Sequence, residues 1–152
     1  FTPLSLDTVP RIQRRTTDAF ELALPVVFLS GIQHFVERPE GLSGAPDDVR
    51  SFLSTLPVQW EETKFLAGYP GKDFVVARRY KDTWYIAGIN GENKAKSVIL
   101  SLDFLQGKSA YCLTDSGEKS RVAIKRNEIN SITSTMSVDM LASGGFVWVV
   151  KN

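Results

Sequence analysis

The sequence is poor in the residues that most often build disulfides and metal sites. Its 152 residues include one cysteine, Cys112, and one histidine, His34. A single cysteine excludes an internal disulfide and any cysteine-rich metal site. A lone histidine without a cysteine or second histidine near it gives no metal-ligand spacing. We therefore expect Cys112 to be an inert thiol in an apolar strand and His34 to be a buried residue whose ring is hydrogen-bonded.

Charge and hydropathy argue against two classes of partner. The net charge is +1, which gives no case for nucleic acid as a partner. The dense basic clusters are Arg11, Arg14 and Arg15 and the pair Arg78 and Arg79. The first cluster could bind an anion, but we expect it to form salt bridges. No apolar run approaches the roughly 20 residues that a membrane-spanning helix needs. Glycine-rich phosphate loops and nucleophile elbows are also missing from the sequence.

The amino-terminal residues give little structural signal. Residues 1–15 have no clear period, and Pro3 and Pro10 favour an extended or looping path. There is no initiator methionine at Phe1 and no signal peptide. We expect the chain to be an internal piece of a longer protein.

A first helix is predicted after this segment. Asp18 followed by Glu21 resembles a capping box, with Thr16 and Thr17 as alternative caps. Apolar residues at helical spacing follow, and they make one buried stripe: Ala19, Leu22, Ala23, Val26 and Val27. Pro25 lies inside the helix and is expected to kink it. The helix should stop near Ser30 and Gly31.

A short strand and a second helix are predicted next. Apolar residues alternate over 32–36, which indicates a buried strand, and residues 38–46 have the proline and glycine content of a loop. Asp47 and Asp48 favour a helix start, and Pro57 ends that helix. Two helices and one strand cannot bury a core of their own. Residues 1–57 are therefore predicted to complete a larger α/β domain or to pack on the rest of the chain.

From Trp60 onward the apolar period becomes two, which is typical of strands. Eight strands are predicted, near residues 60–67, 74–80, 83–89, 96–103, 109–114, 121–125, 132–138 and 145–150. Short strands separated by turn residues at this spacing predict an antiparallel β-sandwich over residues 58–152. The fold class is thus mainly β, with an α/β segment in front.

The stretch from Phe74 to Gly91 is predicted to form the central hairpin of the sandwich. Turns are expected at Lys81–Asp82 and at Asn90–Gly91. Gly88 inside the second strand indicates a bulge or a close backbone approach. We expect Trp84 and Tyr85 to belong to the core.

Three motifs resemble the carboxyl-terminal end of glycoside hydrolase family 97. They are TTDAFELALPVVFLSGIQHF (Thr16 to Phe35), WEETKFLAGYPG (Trp60 to Gly71) and WYIAGING (Trp84 to Gly91). The similarity in pattern covers nearly the whole chain, although after Lys94 it rests on strand spacing alone.

This resemblance implies a fold and an activity. Family members are periplasmic or secreted α-glucosidases or α-galactosidases that depend on calcium. They contain an amino-terminal β-sandwich, a catalytic (β/α)₈ barrel and a carboxyl-terminal β-sandwich. Residues 1–57 would be the last α-to-β step of the barrel with its closing helix, and residues 58–152 the last sandwich. The partners implied are the rest of the enzyme and, through it, an oligosaccharide substrate.

No catalytic residue and no metal ligand is assigned in this chain, because the family's catalytic glutamates and calcium ligands lie on barrel strands that would precede Phe1. Glycoside hydrolysis needs two carboxylates facing each other across a sugar. Glu61 and Glu62 are adjacent in a predicted strand, so we expect them to point to opposite faces. Gln33 and Glu37 would lie near the barrel rim, as would Glu40 on the loop, and the first two are kept as candidate substrate contacts. The alternative for all three is rim packing and surface charge.

Three function classes stay open for the sandwich. It could brace the barrel of a glycosidase, or bind carbohydrate on an aromatic platform, or bind another protein. The platform would use rings from Trp60, Tyr69, Trp84 or Tyr85, two of which would have to be coplanar and exposed. A protein-binding sandwich would show a large apolar patch with no barrel segment packed on it. The predicted amino-terminal helices and strand favour the bracing role.

Overall fold

The computed structural model describes residues 14–35, 39–117 and 122–151. Within them the chain forms three α-helices: α1 (Asp18–Val27), α2 (Pro39–Ser43) and α3 (Asp47–Thr55). Eight strands follow: β1 (Glu62–Tyr69), β2 (Asp73–Tyr80), β3 (Thr83–Asn90), β4 (Lys96–Ser101), β5 (Ala110–Asp115), β6 (Ile124–Ile129), β7 (Thr135–Met140) and β8 (Gly145–Lys151). A single turn of 3-10 helix, Asp103–Leu105, links β4 to β5.

The strands form two antiparallel sheets. Six strands make the larger sheet in the order β1-β2-β3-β8-β5-β6, and β4 pairs with β7 in the smaller one. The predicted fold class, an antiparallel β-sandwich preceded by helices, is therefore confirmed. All eight predicted strands form, although β6 and β7 begin three residues later than their predicted starts.

The large sheet is buried on both faces, and this divides the core in two. On one face α1 and α3 pack against Val76, Tyr85 and Val147. On the other face the small sheet packs against Trp84 and Ile86 and their neighbours. Successive residues of a strand alternate between faces, so adjacent residues of β3 enter different cores. Trp84 and Tyr85 are 8% and 5% exposed, which confirms both as core residues.

The central hairpin differs from its prediction at two places. The Lys81–Asp82 turn is present, and Lys81 takes a positive φ of 52°. Asn90 ends β3 as a buried residue whose side-chain amide donates to the carbonyls of Lys94 and Leu141. Its Oδ1 accepts from the Glu92 amide at 3.0 Å, so the chain turns here as an Asx turn, without the positive φ that the prediction assumed at Asn90 and Gly91. Gly88 pairs with both neighbouring strands without a register shift. The Phe146 ring occupies the space where its Cβ would lie, 2.4 Å from the nearest ring atom. At Gly88 the close approach is therefore made by the Phe146 side chain and not by another backbone, and β3 has no bulge there.

The amino-terminal elements also need three corrections. Thr17 is the N-cap of α1, and Asp18 is its first residue. Residues 39–43, predicted as loop, form helix α2, whose first residue is proline, a position that proline tolerates well. The strand predicted over 32–36 is not formed at residues 32–35, and Val36 lies outside the described residues. Among the described strands none runs alongside residues 32–35, and an isolated strand leaves its backbone groups unpaired.

Both predicted helices are present and pack on the large sheet. Helix α1 contains Pro25 and contacts β2, β3, β5 and β8. Helix α3 spans Asp47–Thr55, and Phe52 lies 6.4 Å from the Tyr85 ring between centroids. The apolar stripes of the amino-terminal part are therefore buried on the sandwich. The division into two domains at residues 57 and 58 stays a prediction.

Candidate functional site

The candidate substrate contacts lie in the segment after α1. The Gln33 side chain donates a hydrogen bond of 2.9 Å to the carbonyl of Pro25 and is half-buried. Glu37 lies outside the described residues, and Glu40 is exposed on α2. The structure thus gives Gln33 a role at the end of α1. Its assignment, with Glu37, as a candidate substrate contact stays a prediction.

The two adjacent glutamates meet on one arginine, which the sequence did not predict. Glu61 precedes β1 and lies 2.7 Å from Arg79 Nη1, while Glu62 lies 3.2 Å from Arg79 Nε. The expectation that they point to opposite faces fails because only Glu62 belongs to the strand. Hydrogen bonds from Lys64 and Arg79 hold the pKa of Glu62 below its ordinary value. A carboxylate held ionised in this way is a poor proton donor, so this pair does not have the environment of a catalytic acid.

The single histidine and the single cysteine have opposite environments. His34 is exposed, so its predicted burial is wrong. Cys112 is buried on β5, and burial raises the pKa of its thiol to about 12. A thiol that stays protonated is neither a nucleophile nor a metal ligand, which agrees with an inert core thiol. Of the first basic cluster, Arg14 forms an ion pair with Asp18, Arg15 is exposed, and Arg11 lies outside the described residues.

The four aromatic residues considered for a sugar-stacking platform, Trp60, Tyr69, Trp84 and Tyr85, do not form one. Trp84 and Tyr85 are buried on opposite faces of β3. Trp60 packs edge-on against Tyr85 at 5.3 Å between centroids, with the ring planes 70° apart. Tyr69 is exposed, at the end of β1. No two of these four rings are both coplanar and exposed, so the geometry does not support a platform built from them.

Arg78 fixes the carboxyl-terminal end of α1 to the large sheet. It is a buried residue of β2, and its Nε and Nη2 donate to the carbonyls of Val26 and Val27 at 2.6 and 3.1 Å. Its Nη1 donates to Thr63 Oγ1 at 3.0 Å. The last carbonyls of a helix have no partner within it and carry the negative end of the helix dipole. The buried guanidinium of Arg78 donates to these carbonyls and places a positive charge at the negative end of the dipole. Its burial lowers the pKa of Arg78.

Asp115 fixes the opposite end of α1. This residue ends β5, and its carboxylate accepts hydrogen bonds from the Thr17 hydroxyl at 2.8 Å and the Ala19 amide at 3.0 Å. Asp18, the first residue of α1, accepts a further bond of 2.7 Å from the Ala123 amide. Carboxylates suit the positive end of the helix dipole. Helix α1 is therefore joined to the sheet by an acid at its start and an arginine at its end.

The burial of Asp115 predicts a pH dependence of stability. Burial, the largest influence, raises the pKa of Asp115 above its ordinary value of 3.8. Its stabilising contribution is therefore complete below that value and is lost as the pH rises through the folded-state pKa. We expect the stability of the wild type relative to Asp115→Asn to fall as the pH rises from about 4, because the amide does not titrate.

Urea unfolding of both proteins across that range checks the prediction. Asp139→Asn is the matched control, since it makes the same replacement on the exposed side of β7. A free-energy difference between wild type and Asp115→Asn that stays constant or grows with pH contradicts the assignment.

Exposed large apolar side chains occur mainly in two regions, and Ile99 and Leu141 are exposed elsewhere. The first region runs from the end of α1 to the residues after α3, with Phe28, Leu29, Ile32, Phe35, Leu42 and Val58. The second surrounds the β1–β2 hairpin, with Phe65, Tyr69 and Phe74. Groups of exposed apolar residues mark contact surfaces more often than isolated ones do. Both regions are candidate interfaces.

The described residues show neither a metal cluster nor a membrane span. In residues 14–35, 39–117 and 122–151, no group of three or more His, Cys, Asp or Glu side chains is placed to hold a metal ion. In the same ranges, no helix has both the length and the hydropathy to cross a bilayer.

Family comparison identifies the sandwich. A family described as "Glycosyl-hydrolase 97 C-terminal, oligomerisation" matches residues 59–151, which is more than half of the chain. The chain belongs to this family. Membership confirms the resemblance found in the three sequence motifs. The matched residues contain all eight strands, and helices α1, α2 and α3 precede them.

Three known proteins are each similar to 90% of this chain. A probable retaining α-galactosidase of Streptomyces bingchenggensis is 32% identical over 138 residues, which are 21% of that protein. A solved β-arabinopyranosidase is 31% identical with a TM-score of 0.80, and the match covers 21% of it. A family 97 enzyme from Pseudoalteromonas sp. strain K8, solved with panose, is 26% identical with a TM-score of 0.76 over 22% of its length. The chain thus spans about a fifth of the length of these relatives.

Proposed function

We propose that this chain is the carboxyl-terminal part of a family 97 glycoside hydrolase that acts on α-linked galactosides or glucosides. The observation that carries the proposal is the family match over residues 59–151. The share of each relative that is matched, about a fifth, supports a non-catalytic role for this part. The remainder of the enzyme would supply the active site and bind the oligosaccharide.

The sandwich would have a structural role in that enzyme. The support is the attachment of α1, whose two ends are bound by Asp115 on β5 and Arg78 on β2. Any domain that continues from the amino-terminal part would then be held at a defined position on the sheet. The family description adds oligomerisation, and we propose that the sandwich also joins copies of the enzyme.

The isolated 152-residue chain is expected to be catalytically inactive. Its adjacent glutamates are both bound to Arg79, and retaining and inverting mechanisms alike need two carboxylates on either side of the scissile bond. The purified chain is incubated with nitrophenyl α-galactosides and α-glucosides in the presence of calcium. Turnover above background that disappears in Glu62→Gln would contradict the prediction.

The full-length product of the gene that encodes this chain tests the parent activity. We expect it to hydrolyse at least one of the two substrate classes, and a panel of both decides between galactosides and glucosides. If the full-length enzyme hydrolyses neither substrate class, the proposed parent function is wrong, whether or not the isolated chain is inactive.

Calcium and location complete the proposal. We propose that calcium binds the remainder of the enzyme, since the described residues offer no ligand group for it. Calorimetric titration of this chain with calcium should then show no binding. A periplasmic or secreted location is proposed from the family resemblance alone, and fractionation of the producing cells tests it.

A further inference from the structure

One exposed apolar surface lies at the end of the β1–β2 hairpin. We define the hairpin patch as Phe65, Tyr69, Pro70, Phe74 and Ile89, which together line a concavity of about 540 Å³. Phe65 and Tyr69 are 63% and 66% exposed. The Phe65 and Phe74 rings contact each other at 5.7 Å between centroids. These side chains form a group, and such groups are typical of a protein contact.

The patch is exposed because the helices cover another part of the same sheet face. Phe65 pairs with Val76 across β1 and β2, and Val76 belongs to the helix-side core. Phe65 therefore points to the helix side of the sheet. Helix α1 packs on β2, β3, β5 and β8, whereas Phe65 lies on the edge strand β1. Phe74 and Ile89 pair with each other on the same face. Phe65, Phe74 and Ile89 therefore extend the apolar helix-side face past the area that the helices cover.

We propose that the hairpin patch is the surface through which two copies of this chain associate. This inference rests on the proposed oligomerisation role and names its site. The patch lies entirely within residues 59–151, the part that matches the family described by oligomerisation. The other apolar region, Phe28 to Val58, precedes the match. That region belongs to the segment proposed to continue into the rest of the enzyme.

The composition of the patch suits contact with its own copy. In a twofold interface the same surface meets itself, so each side must be self-complementary. Aromatic rings at the centre meet this requirement, and they are enriched in interface cores. At the rim, Lys72 lies 5.5 Å from the Tyr69 ring, whereas the Asp73 carboxylate is buried against Lys96 at 2.7 Å. Lys72 is therefore a charged group that this edge presents to a partner, and Asp73 is already neutralised. A stable contact buries roughly 800 Å² per partner, so residues around the patch must join it.

Sedimentation velocity of the 152-residue chain over a range of concentrations tests the proposal. We expect the wild type to form dimers and Phe65→Glu to raise the dimer dissociation constant by at least about 30-fold, as loss of a central contact does. Tyr69→Glu should act in the same direction. Both side chains are exposed, so circular dichroism melts of these variants should match the wild type at concentrations below its dimer dissociation constant, where association adds no stability.

Two exposed residues elsewhere serve as matched controls. Ile99→Glu changes a 70% exposed residue on β4, and Leu29→Glu changes a 71% exposed residue of the other apolar region. Neither should weaken the dimer. A dimer that resists Phe65→Glu, or that Leu29→Glu dissociates, overturns the hairpin patch but leaves oligomerisation standing. A wild type that stays monomeric at every concentration overturns both.

Discussion

Replacing Arg78 by methionine is expected to destabilise the protein by about 2–5 kcal/mol. Methionine keeps much of the side-chain volume but donates no hydrogen bonds. The carbonyls of Val26 and Val27 would then lie buried without their partners. Each buried polar group left unpaired costs about 1–3 kcal/mol. Such a loss is a large part of the roughly 5–15 kcal/mol that stabilises a typical domain. Urea unfolding followed by circular dichroism measures it.

The neighbouring residue gives the matched control for this prediction. Arg79 carries the same side chain on the same strand, but it is partly exposed and pairs with Glu61 and Glu62. Exposed ion pairs contribute about 0–1 kcal/mol, so Arg79→Met should have little effect. The loss of stability in Arg78→Lys should lie between those of Arg78→Met and Arg79→Met, since an ammonium lacks the planar fork that reaches two carbonyls. Equal losses for Arg78→Met and Arg79→Met would show that the attachment of α1 does not depend on Arg78.

Trp84→Ala is expected to cost about 3–5 kcal/mol, as removal of a large buried ring from a core does. Trp84 lies between the two sheets, and its ring packs edge-on against Phe104 at 4.8 Å between centroids. Its loss would leave a cavity where the small sheet meets the large one. We therefore expect the sandwich to unfold at much lower urea concentration, or not to fold at all.

Ile99→Ala is the comparison for Trp84→Ala. Ile99 is a large apolar residue on the exposed side of β4, and exposed substitutions usually change stability by less than about 0.5 kcal/mol. Thermal melts of the two variants should differ clearly. If both variants melt within a degree or two of wild type, Trp84 is not a core residue in solution.

The strands were predicted well because their signal is local. A strand buried on both faces has apolar residues at consecutive positions, and β3 and β8 show this pattern directly. The burial of Trp84 and Tyr85 followed from the same pattern. Helix α1 was found from its apolar stripe and capping residues, and helix α3 from the acids at its start and the proline after its end. Helix α2 was missed because its five residues are too few to show a period.

The attachments of α1 were missed because they join residues far apart in sequence. Arg78 was noted only as part of a basic pair, and no role was predicted for Asp115. Alternation within β2 indicated the face to which Arg78 points. It did not indicate that the last carbonyls of α1 lie on that face. A buried arginine inside an apolar strand was the one available signal, since such a residue needs several acceptors.

The amino-acid sequence by itself determined the class of the fold, its eight strands, the central hairpin and the family. These features depend on periodicity and motifs, which are properties of neighbouring residues. Only the tertiary structure decided that β8 lies between β3 and β5, that Glu61 and Glu62 share Arg79, and that residues 32–35 form no strand. Hydrogen-bond partners across sheets and helix ends are set by how distant segments pack, because a strand or a helix end cannot satisfy its outer backbone groups from its own residues.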